Sequence, residues 1–345
     1  MASVSSLPAF TISDYCTRSR VLARSRSTPT SGISGPGAGL ESLGRAAASC
    51  RRLNPWHRRG DWNLGPVRAE SPDVKKTERE PMVPPYNVLI TGSTKGIGYA
   101  LAREFLKAVE RVESAIQSLR KEFGEHRVWG TACDVRVAKD VKALVAFARE
   151  TIGYIDIWIN NAGSNAYSFK PLAETSDEDL MEVVTTNTLG LMICCREAIN
   201  MMPNQPRGGH IFNIDGAGSD GRPTPRFAAY GATKRSVVHL TKSLQAELQM
   251  QEVKNVMVHN LSPGMVTTDL LMSGATTKQA KFFINILAEP PDVVAAFLVP
   301  SIRSVPSSQS MKPTYIRFLT GFKAYSQIFS RLAFGARRNR YLVED

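Results

Sequence analysis

A glycine-rich turn between a short apolar strand and a helical segment constrains the fold of this chain more than any other feature. Residues 86–90 form the apolar run, and the turn follows it without a break. Glycines let the backbone approach a pyrophosphate closely, and the N-terminus of the following helix faces its negative charge. The turn therefore predicts a dinucleotide-binding site, with an ordinary turn as the alternative. The predicted contact residues are Thr91, Gly92, Ser93, Lys95, Gly96, Ile97 and Gly98.

The chain after residue 86 alternates short β-rich runs with longer helical stretches. Further strands are predicted at 128–133, 155–159, 210–214 and 256–261, and helices at 138–151, 177–201 and 227–251. Ser176 stands where an N-cap belongs, directly before the acidic residue Asp177. The alternation predicts an α/β fold in which helices cover both faces of a parallel sheet, a Rossmann-type doubly wound single domain over 86–320.

The N-terminal leader differs in composition from the rest of the chain. Residues 1–60 contain nine arginines, no lysine and two acids, and so carry seven of the twelve net positive charges. Leaders that are rich in Arg and Ser and poor in acids are typical of organelle transit peptides. We therefore predict a chloroplast transit peptide over 1–69, cut near 67–69, and a linker over 70–85. A basic arm that binds nucleic acid is the alternative; the transit-peptide interpretation leaves no nucleic-acid partner.

The sequence disfavours two further classes of site. It contains no run of about 18 apolar residues, so it predicts no transmembrane helix. Outside the leader the cysteines are Cys133, Cys194 and Cys195, and their spacing matches no zinc motif. The sequence therefore predicts free thiols and no metal site.

Small residues follow the strand predicted at 155–159. Asn161, Ala162 and Gly163 stand just after its carboxyl end. Ligands of open α/β sheets bind outside the carboxyl ends of the strands, and small side chains there leave room for a ribose and a nicotinamide. We therefore predict that these three residues contact the cofactor; a plain strand-to-loop turn is the alternative.

Tyr230 and Lys234 form the candidate reaction centre. They lie four residues apart in a predicted helix, which places both side chains on one face. A nearby ammonium stabilises a phenolate, so we expect Lys234 to lower the pKa of Tyr230 and to prepare it for proton exchange. A chance pairing on a helix is the alternative.

In order and approximate spacing, these three motifs together resemble the short-chain dehydrogenase/reductase superfamily. The resemblance covers most of 86–270 and implies hydride transfer with a nicotinamide cofactor. It also implies that Asn187 holds a water of a proton relay. Other positions implied at the cofactor are Asp134 and Val135 beside the adenine, and Pro263, Gly264, Val266 and Thr268 in a loop that closes on the nicotinamide. Lys95 could reach a 2′-phosphate, which favours NADPH; a solvated lysine is the alternative.

The sequence departs from the superfamily pattern at two places. The family's catalytic serine would fall where this chain has Gly216 and Ala217, and the nearest hydroxyl is that of Ser219. We assign Ser219 the role of orienting the substrate, with a turn-capping serine as the alternative. Helical sequence also runs on over 97–123, where the family has its second strand. The sheet is therefore predicted to lack that strand.

Several stretches carry a closer resemblance, to the chloroplast chlorophyll(ide) b reductases of the single-domain, non-yellowing-like type. They are 165–172, 212–221, 226–230 and 315–321, and the second includes an unusual Asp-Gly-Ala-Gly run. The resemblance implies NADPH-dependent reduction of the 7-formyl group of chlorophyll b, or of chlorophyllide b, to 7-hydroxymethyl in chlorophyll b breakdown. A plastid reductase of another carbonyl compound, such as an acyl-carrier ketoester, stays open. So does a catalytically impaired scaffold that pairs with a sister reductase.

The C-terminal segment 321–345 is predicted to form a basic amphipathic helix and tail. Its apolar stripe is Phe322, Tyr325, Phe329 and Leu332, and its basic residues are Lys323, Arg331, Arg337, Arg338 and Arg340. Such a helix can lie on an anionic lipid surface, which predicts peripheral attachment to the stromal side of the thylakoid membrane. A stripe packed on the domain's own core is the alternative. The remaining partner hypotheses are a homo-oligomer, a complex with a sister chlorophyll b reductase and contact with an antenna protein.

Overall fold

A computed structural model describes the backbone of residues 8–13 and the whole of residues 82, 86–107, 127–308 and 312–344. The predicted cut site at 67–69 and the predicted linker, apart from Met82, lie outside these residues. The strands are β1 Pro8–Ser13, β2 Asn87–Thr91, β3 Val128–Ala132, β4 Ile157–Asn160, β5 Gly209–Ile214, β6 Val256–Ser262 and β7 Tyr315–Arg317. The helices are α1 Gly96–Lys107, α2 Ala138–Ile152, α3 Asp177–Val184, α4 Leu191–Met201, α5 Ala228–Met250, α6 Asp269–Met272, α7 Lys278–Leu287, α8 Pro291–Ser307 and α9 Gly321–Phe334.

Five strands form a parallel sheet in the spatial order β2, β4, β5, β6, β7. β2 and β4 are buried along their whole length, and β5 and β6 almost so, which is why apolar residues predominate in their sequences. α1 and α8 cover one face, with Leu101 and Leu298 in its core. α2 and α4 cover the other, with Leu144 and Ile193. The predicted Rossmann-type α/β fold is therefore confirmed.

The sheet continues beyond β2 with a strand from the N-terminal leader. β1 runs antiparallel between β2 and β3 and pairs five residues with each of them. Of the helix predicted over 97–123, the described part is α1, and residues 108–126 lie outside the described chain. The place expected to be empty, beside β2, is thus filled by Pro8–Ser13. Two strand edges that face each other across a gap leave backbone N–H and C=O groups unpaired, and an extended segment pairs them.

The helix predicted over 177–201 is divided into two by a wider turn. α3 begins at its predicted cap, since the hydroxyl of Ser176 accepts from the backbone N–H of Asp179 at 3.2 Å. A π-helical turn over Thr185–Gly190 then separates α3 from α4. Such turns are often found at functional sites, and this one contains the buried Asn187.

The apolar stripe of α9 faces solvent. Phe322 is 86% exposed and Tyr325 is 74% exposed, and Phe329 and Leu332 are exposed as well. The alternative in which this stripe packs on the domain's own core is therefore not what the structure shows. None of the described helices combines the length and the apolar composition that a membrane crossing needs.

The basic residues that follow the stripe mostly face the protein. Arg331 pairs with Glu344, and Arg337 and Arg340 both pair with Glu289. The expectation of a basic outer surface is wrong for Arg331 and Arg337, because the folded tail pairs them with Glu344 and Glu289 and covers most of their side chains. Arg340 is paired as well but stays partly exposed.

The cysteines of the domain are buried. Cys133, Cys194 and Cys195 are free thiols, as predicted, and burial raises the pKa of Cys133 and of Cys195 to about 12. Within the described part of the chain, no three His, Cys, Asp or Glu side chains come together where they could hold a metal ion.

Candidate active site

Hydrogen bonds tie the glycine-rich turn to the loop that follows β4. The hydroxyl of Thr91 accepts from the backbone N–H groups of Asn161 and Ala162, both at 3.1 Å. The side-chain amide of Asn161 donates to the carbonyl oxygens of Thr91 and Gly92 at 2.9 and 2.8 Å. The two segments therefore form one wall of a cleft at the carboxyl ends of β2 and β4.

This wall presents backbone rather than side chains. Gly92 has a φ of +64°, a left-handed value that glycine adopts without strain. A Cβ on Gly92 would lie 2.9 Å from the Cα of Ala162, and one on Gly98 would lie 2.5 Å from the carbonyl oxygen of Gly92. α1 begins at Gly96, so the partial positive charge of its N-terminus lies at this turn. The turn thus fits the pyrophosphate of a dinucleotide, which needs close backbone approach and positive charge.

Three residues of the turn use their side chains elsewhere. Ser93 is buried and donates its hydroxyl to a backbone carbonyl of β2 at 3.1 Å. Ile97 packs against the hydrophobic core. The ammonium of Lys95 bonds to the carboxylate of Asp269 at 2.9 Å and to the hydroxyl of Tyr167 at 3.2 Å. Lys95 therefore bridges the turn to two other loops instead of pointing into open space.

The residues expected beside the adenine are already engaged. The guanidinium of Arg136 donates to the carboxylate of Asp134 at distances from 2.6 to 3.0 Å. These hydrogen bonds hold the pKa of Asp134 below its usual range. Val135 is buried against the π-helical turn, where a Cβ on Gly190 would lie 2.9 Å from its methyl carbon. Adenine contact by Asp134 and Val135 stays a prediction.

α5 places Tyr230 and Lys234 beside the same cleft. The ammonium nitrogen of Lys234 donates to the carbonyl oxygen of Ile214 at 3.1 Å and lies 5.7 Å from the centre of the Tyr230 ring. A Cβ on Gly163 would lie 3.6 Å from that nitrogen. The predicted reaction centre and the small-residue loop after β4 are therefore neighbours.

Burial dominates the electrostatics of this pair. It raises the pKa of Tyr230 well above its ordinary value, and the charge of Asp215 adds to the effect. It also lowers the pKa of Lys234 to about 8, which the same carboxylate partly offsets. The expectation of a lowered Tyr230 pKa is wrong for this structure, because loss of solvent and the charge of Asp215 both raise it. The neutral phenol that results is the form that can donate a proton.

Ser219 faces a buried polar cluster. Its hydroxyl bonds to Asp215 and to Tyr315, and Tyr315 also donates to the carboxylate of Asp215. Burial raises the pKa of Asp215 above its usual range. Asp215 and Tyr315 are parts of the site that no sequence motif indicated. An acidic residue directly after the buried strand β5 was the signal that could have found the first of them.

Asn187 holds two elements of the site together. Its amide oxygen accepts from the backbone N–H of Ser164 at 2.8 Å. Its amide nitrogen donates to the carbonyl oxygen of Ser164 at 2.7 Å and to the hydroxyl of Thr233 at 3.1 Å. The side chain thus joins the loop after β4 to α5, one residue before Lys234. The relay water at Asn187 stays a prediction.

The loop after β6 closes the other side of the cleft. A Cβ on Gly96 would lie 3.1 Å from the methyl carbon of Thr268, so this loop lies against the glycine-rich turn. Val266 forms a β-bridge with Glu289. The loop begins with Pro263 and Gly264, and a Cβ on Gly264 would lie 2.6 Å from the Cβ of Leu319. The segment implied to close on the nicotinamide is therefore packed from behind.

A small, half-open pocket has Tyr230 in its lining. Its apolar lining includes Leu172, Leu180, Val183, Phe227 and Ala229, and its charged residues are Lys170, Asp179 and Arg226. Ala166 and Arg226, both in its lining, have φ values of +53° and +64°. Such values are costly for residues other than glycine and are concentrated at functional sites. The apolar lining beside Tyr230 suits the approach of an apolar carbonyl compound from this side.

Comparison with known proteins gives related sequences over most of the chain. A model of the short chain dehydrogenase family matches residues 86–279. Chlorophyll(ide) b reductase NOL, chloroplastic, of Oryza sativa subsp. japonica is 74% identical over 325 residues, which cover 89% of this chain and 95% of that protein. The protein of the same name from Arabidopsis thaliana is 78% identical over 278 residues, which cover 78% and 80% of the two chains.

A solved structure shows the same fold. The 3-ketoacyl-(acyl-carrier-protein) reductase from Brucella melitensis, complexed with NADH, is 25% identical and superimposes with a TM-score of 0.54 over 67% of this chain and 96% of its own. The family model matches more than half of this chain, and its range contains the glycine-rich turn, Asn187, Tyr230 and Lys234. The chain therefore belongs to the short-chain dehydrogenase family.

Proposed function

We propose that this protein reduces the 7-formyl group of chlorophyll b, or of chlorophyllide b, to a 7-hydroxymethyl group with hydride from NADPH. The observation that carries the proposal is the position of Tyr230, between a small, mainly apolar pocket and a cleft that fits a dinucleotide. The names of the rice and Arabidopsis relatives, both chlorophyll(ide) b reductases, support this choice of substrate.

The cofactor would be held by the wall of the glycine-rich turn and the loop after β4, with the loop 263–268 on its other side. When bound there, the nicotinamide supplies the hydride for the formyl carbon. NADPH rather than NADH is supported by Lys95, the one basic residue of the turn. To reach a 2′-phosphate, Lys95 would have to leave the carboxylate of Asp269. Both side chains are exposed, so Lys95 would exchange one solvent-exposed ion pair for another.

Tyr230 donates its phenolic proton to the carbonyl oxygen as the C=O double bond becomes a single bond. Its raised pKa keeps the phenol protonated until that oxygen gains negative charge. The positive charge of Lys234 lies near Tyr230 and stabilises the negative charge that develops during proton transfer. The same ammonium lies beside Gly163 of the loop after β4. Asn187 keeps that loop and α5 in register through Ser164 and Thr233. Substrate orientation by Ser219 would require its hydroxyl to leave Asp215, so Ser219 is the least supported of the proposed catalytic residues.

We also propose that the protein acts in the chloroplast, on the stromal side of the thylakoid membrane, where α9 contacts lipid. The support is the exposed aromatic face of α9, since Phe322, Tyr325 and Phe329 lie on it with little cover. A variant with Phe322→Ser and Phe329→Ser should sediment less with washed thylakoids. Met250→Ser, at an equally exposed apolar residue on α5, should sediment as the unmodified protein does. Equal sedimentation of all three proteins would exclude this contact.

The reductase proposal is tested with purified protein, chlorophyll b or chlorophyllide b, and NADPH or NADH in separate reactions. We expect the 7-hydroxymethyl product, faster with NADPH. Tyr230→Phe should retain less than about 1% of the rate, because general acid catalysis contributes a factor of about 100 or more. Tyr325→Phe, an exposed tyrosine on α9, serves as the control. Reduction of an acyl-carrier ketoester but of neither pigment would show that chlorophyll b is not the substrate. Cofactor binding without reduction of any of these compounds would favour the scaffold alternative.

A further inference from the structure

The segment 265–268 fixes the width of the cofactor cleft on the side opposite Asn161. Its last residue, Thr268, lies next to Gly96 of the glycine-rich turn. The residue that follows, Asp269, pairs with Lys95 of the same turn at 2.9 Å. A shift of this segment would therefore widen or narrow the cleft directly.

The segment is held from behind by the backbone of Glu289. The N–H of Glu289 donates to the carbonyl oxygen of Met265 at 3.0 Å, and the N–H of Thr267 donates to the carbonyl oxygen of Glu289 at 3.0 Å. Glu289 stands in the short connection between α7 and α8. It is thus the residue through which that connection supports the segment.

The side chain of Glu289 is clamped by two arginines of the C-terminal tail. Arg337 donates to one carboxylate oxygen at 2.7 Å and Arg340 to the other at 2.6 Å. Both guanidinium groups also donate to the carbonyl oxygen of Ala288, at 3.1 and 3.2 Å. Burial alone would raise the pKa of Glu289, but the hydrogen bonds from Arg340 and Arg337 outweigh it and hold the pKa below its usual value.

The tail itself is anchored at its far end. The amide oxygen of Asn285, near the end of α7, accepts from the backbone N–H groups of Tyr341 and Leu342 at 2.7 and 3.0 Å. Its amide nitrogen donates to Leu342 and Glu344, both at 2.7 Å. The tail is therefore anchored behind the segment 265–268. Arg337 and Arg340 are the tail residues that contact Glu289.

We propose that Arg337 and Arg340 are positioning residues for the cofactor, which hold the segment 265–268 in place through Glu289. The proposal rests on the proposed function in one respect, that a nicotinamide cofactor lies between this segment and the glycine-rich turn. Neither arginine touches the reacting atoms. Their loss should weaken cofactor binding and leave the proton donor Tyr230 intact.

The test compares Arg337→Gln, Arg340→Gln and the double variant with Arg338→Gln. Arg338 lies in the same tail and is exposed, so it controls for the loss of one positive charge. We expect the double variant to bind NADPH about tenfold more weakly in a fluorescence titration, since both ion pairs to Glu289 and both hydrogen bonds to Ala288 are lost. Its KM for NADPH should rise by a similar factor, with kcat for chlorophyll b changed by less than about twofold. Arg340→Lys keeps the positive charge and can still donate to Glu289, so it should bind NADPH more tightly than Arg340→Gln.

A second measurement needs neither cofactor nor substrate. In the cofactor-free protein, the N–H of Thr267 should exchange with deuterium faster in the double variant than in Arg338→Gln, while the N–H groups of β5 are unchanged. Unchanged exchange at Thr267 together with unchanged NADPH affinity would overturn the proposal. Faster exchange throughout the domain would also overturn it, because the arginines would then serve general stability. Failure of the unmodified protein to bind NADPH would instead contradict the proposed function.

Discussion

A Cβ on Gly216 would lie 2.6 Å from the hydroxyl oxygen of Tyr230, closer than such atoms approach in proteins. Gly216 is one of the two residues that stand where the family pattern has its catalytic serine. The hydroxyl of Tyr230 therefore uses space that a serine side chain at this position would need. The absence of a serine at position 216 is therefore what allows the Tyr230 hydroxyl to lie where it does.

We predict that Gly216→Ser lowers the rate instead of restoring a family residue. The new side chain must push the Tyr230 hydroxyl away, and displacements near 1 Å can cost a factor of about 100 in rate, so a loss of at least about tenfold in kcat is expected. NADPH affinity should be unchanged. Ala217→Ser is the control, because residue 217 is exposed. A Gly216→Ser variant as fast as the unmodified protein would mean that Tyr230 sits elsewhere during catalysis.

The pH dependence of the rate should reflect the buried Lys234. Burial lowers its pKa to about 8, so the ammonium is present below that pH and becomes a neutral amine above it. We therefore expect kcat/KM to fall as the pH rises through about 8, as measured by steady-state rates from about pH 6 to about pH 10. Lys234→Arg should be slower but should lose this basic limb, because a guanidinium stays charged throughout. A profile that is flat to about pH 10 in the unmodified protein would show that the Lys234 charge is not required.

The sequence predicted those parts of the site that depend on local chain geometry. The glycine-rich turn is recognisable because a strand, closely packed glycines and a helix follow one another, and Tyr230 and Lys234 because a helix sets their spacing. What it could not predict depends on tertiary contacts. Asn187 was indicated by the family resemblance alone, because no periodicity marks the π-helical turn that holds it. The balance of burial and charge at Lys234 follows only from the packed site.

The close packing of the turn supports a third prediction, on Gly98→Ala. The added methyl group would collide with the side-chain amide of Asn161 and lie 2.5 Å from the carbonyl oxygen of Gly92. We expect NADPH affinity to fall by at least about tenfold, because Asn161 must release the turn that it holds. Gly321→Ala is the matched control, since nothing lies within 4 Å of its added Cβ. Equal titration curves for both variants would show that this contact does not shape the cofactor cleft.

The C-terminal charges show the same limit of sequence reasoning. Arg331, Arg337 and Arg340 look like solvated residues in the sequence, because their acidic partners are distant or follow a turn. Only the fold brings Arg337 and Arg340 to Glu289, about 50 residues earlier in the chain. A long-range ion pair has no local pattern, so the sequence could not show which of the tail arginines pair with acids inside the protein.

The N-terminal strand gives the last prediction. β1 fills the place between β2 and β3, yet it lies inside the segment predicted to be removed as a transit peptide. A chain that begins at residue 70 should therefore lose two ladders of backbone hydrogen bonds, and we expect its Tm to fall by about 5 °C or more. In the full chain, Thr11→Pro should have a similar effect, because proline cannot donate within a central strand. Calorimetry of the three proteins measures both effects.

The comparison between the two altered chains decides what β1 does. A lower Tm in both would mean that the strand stabilises the full-length chain and that import leaves a gap for another segment to fill. A lower Tm in Thr11→Pro alone would mean that the shortened chain already fills the gap from its own residues. An unchanged Tm in both would show that β1 does not stabilise the folded chain. NADPH titration of the shortened chain then tests function separately, since β2 carries Thr91 and the wall of the cofactor cleft.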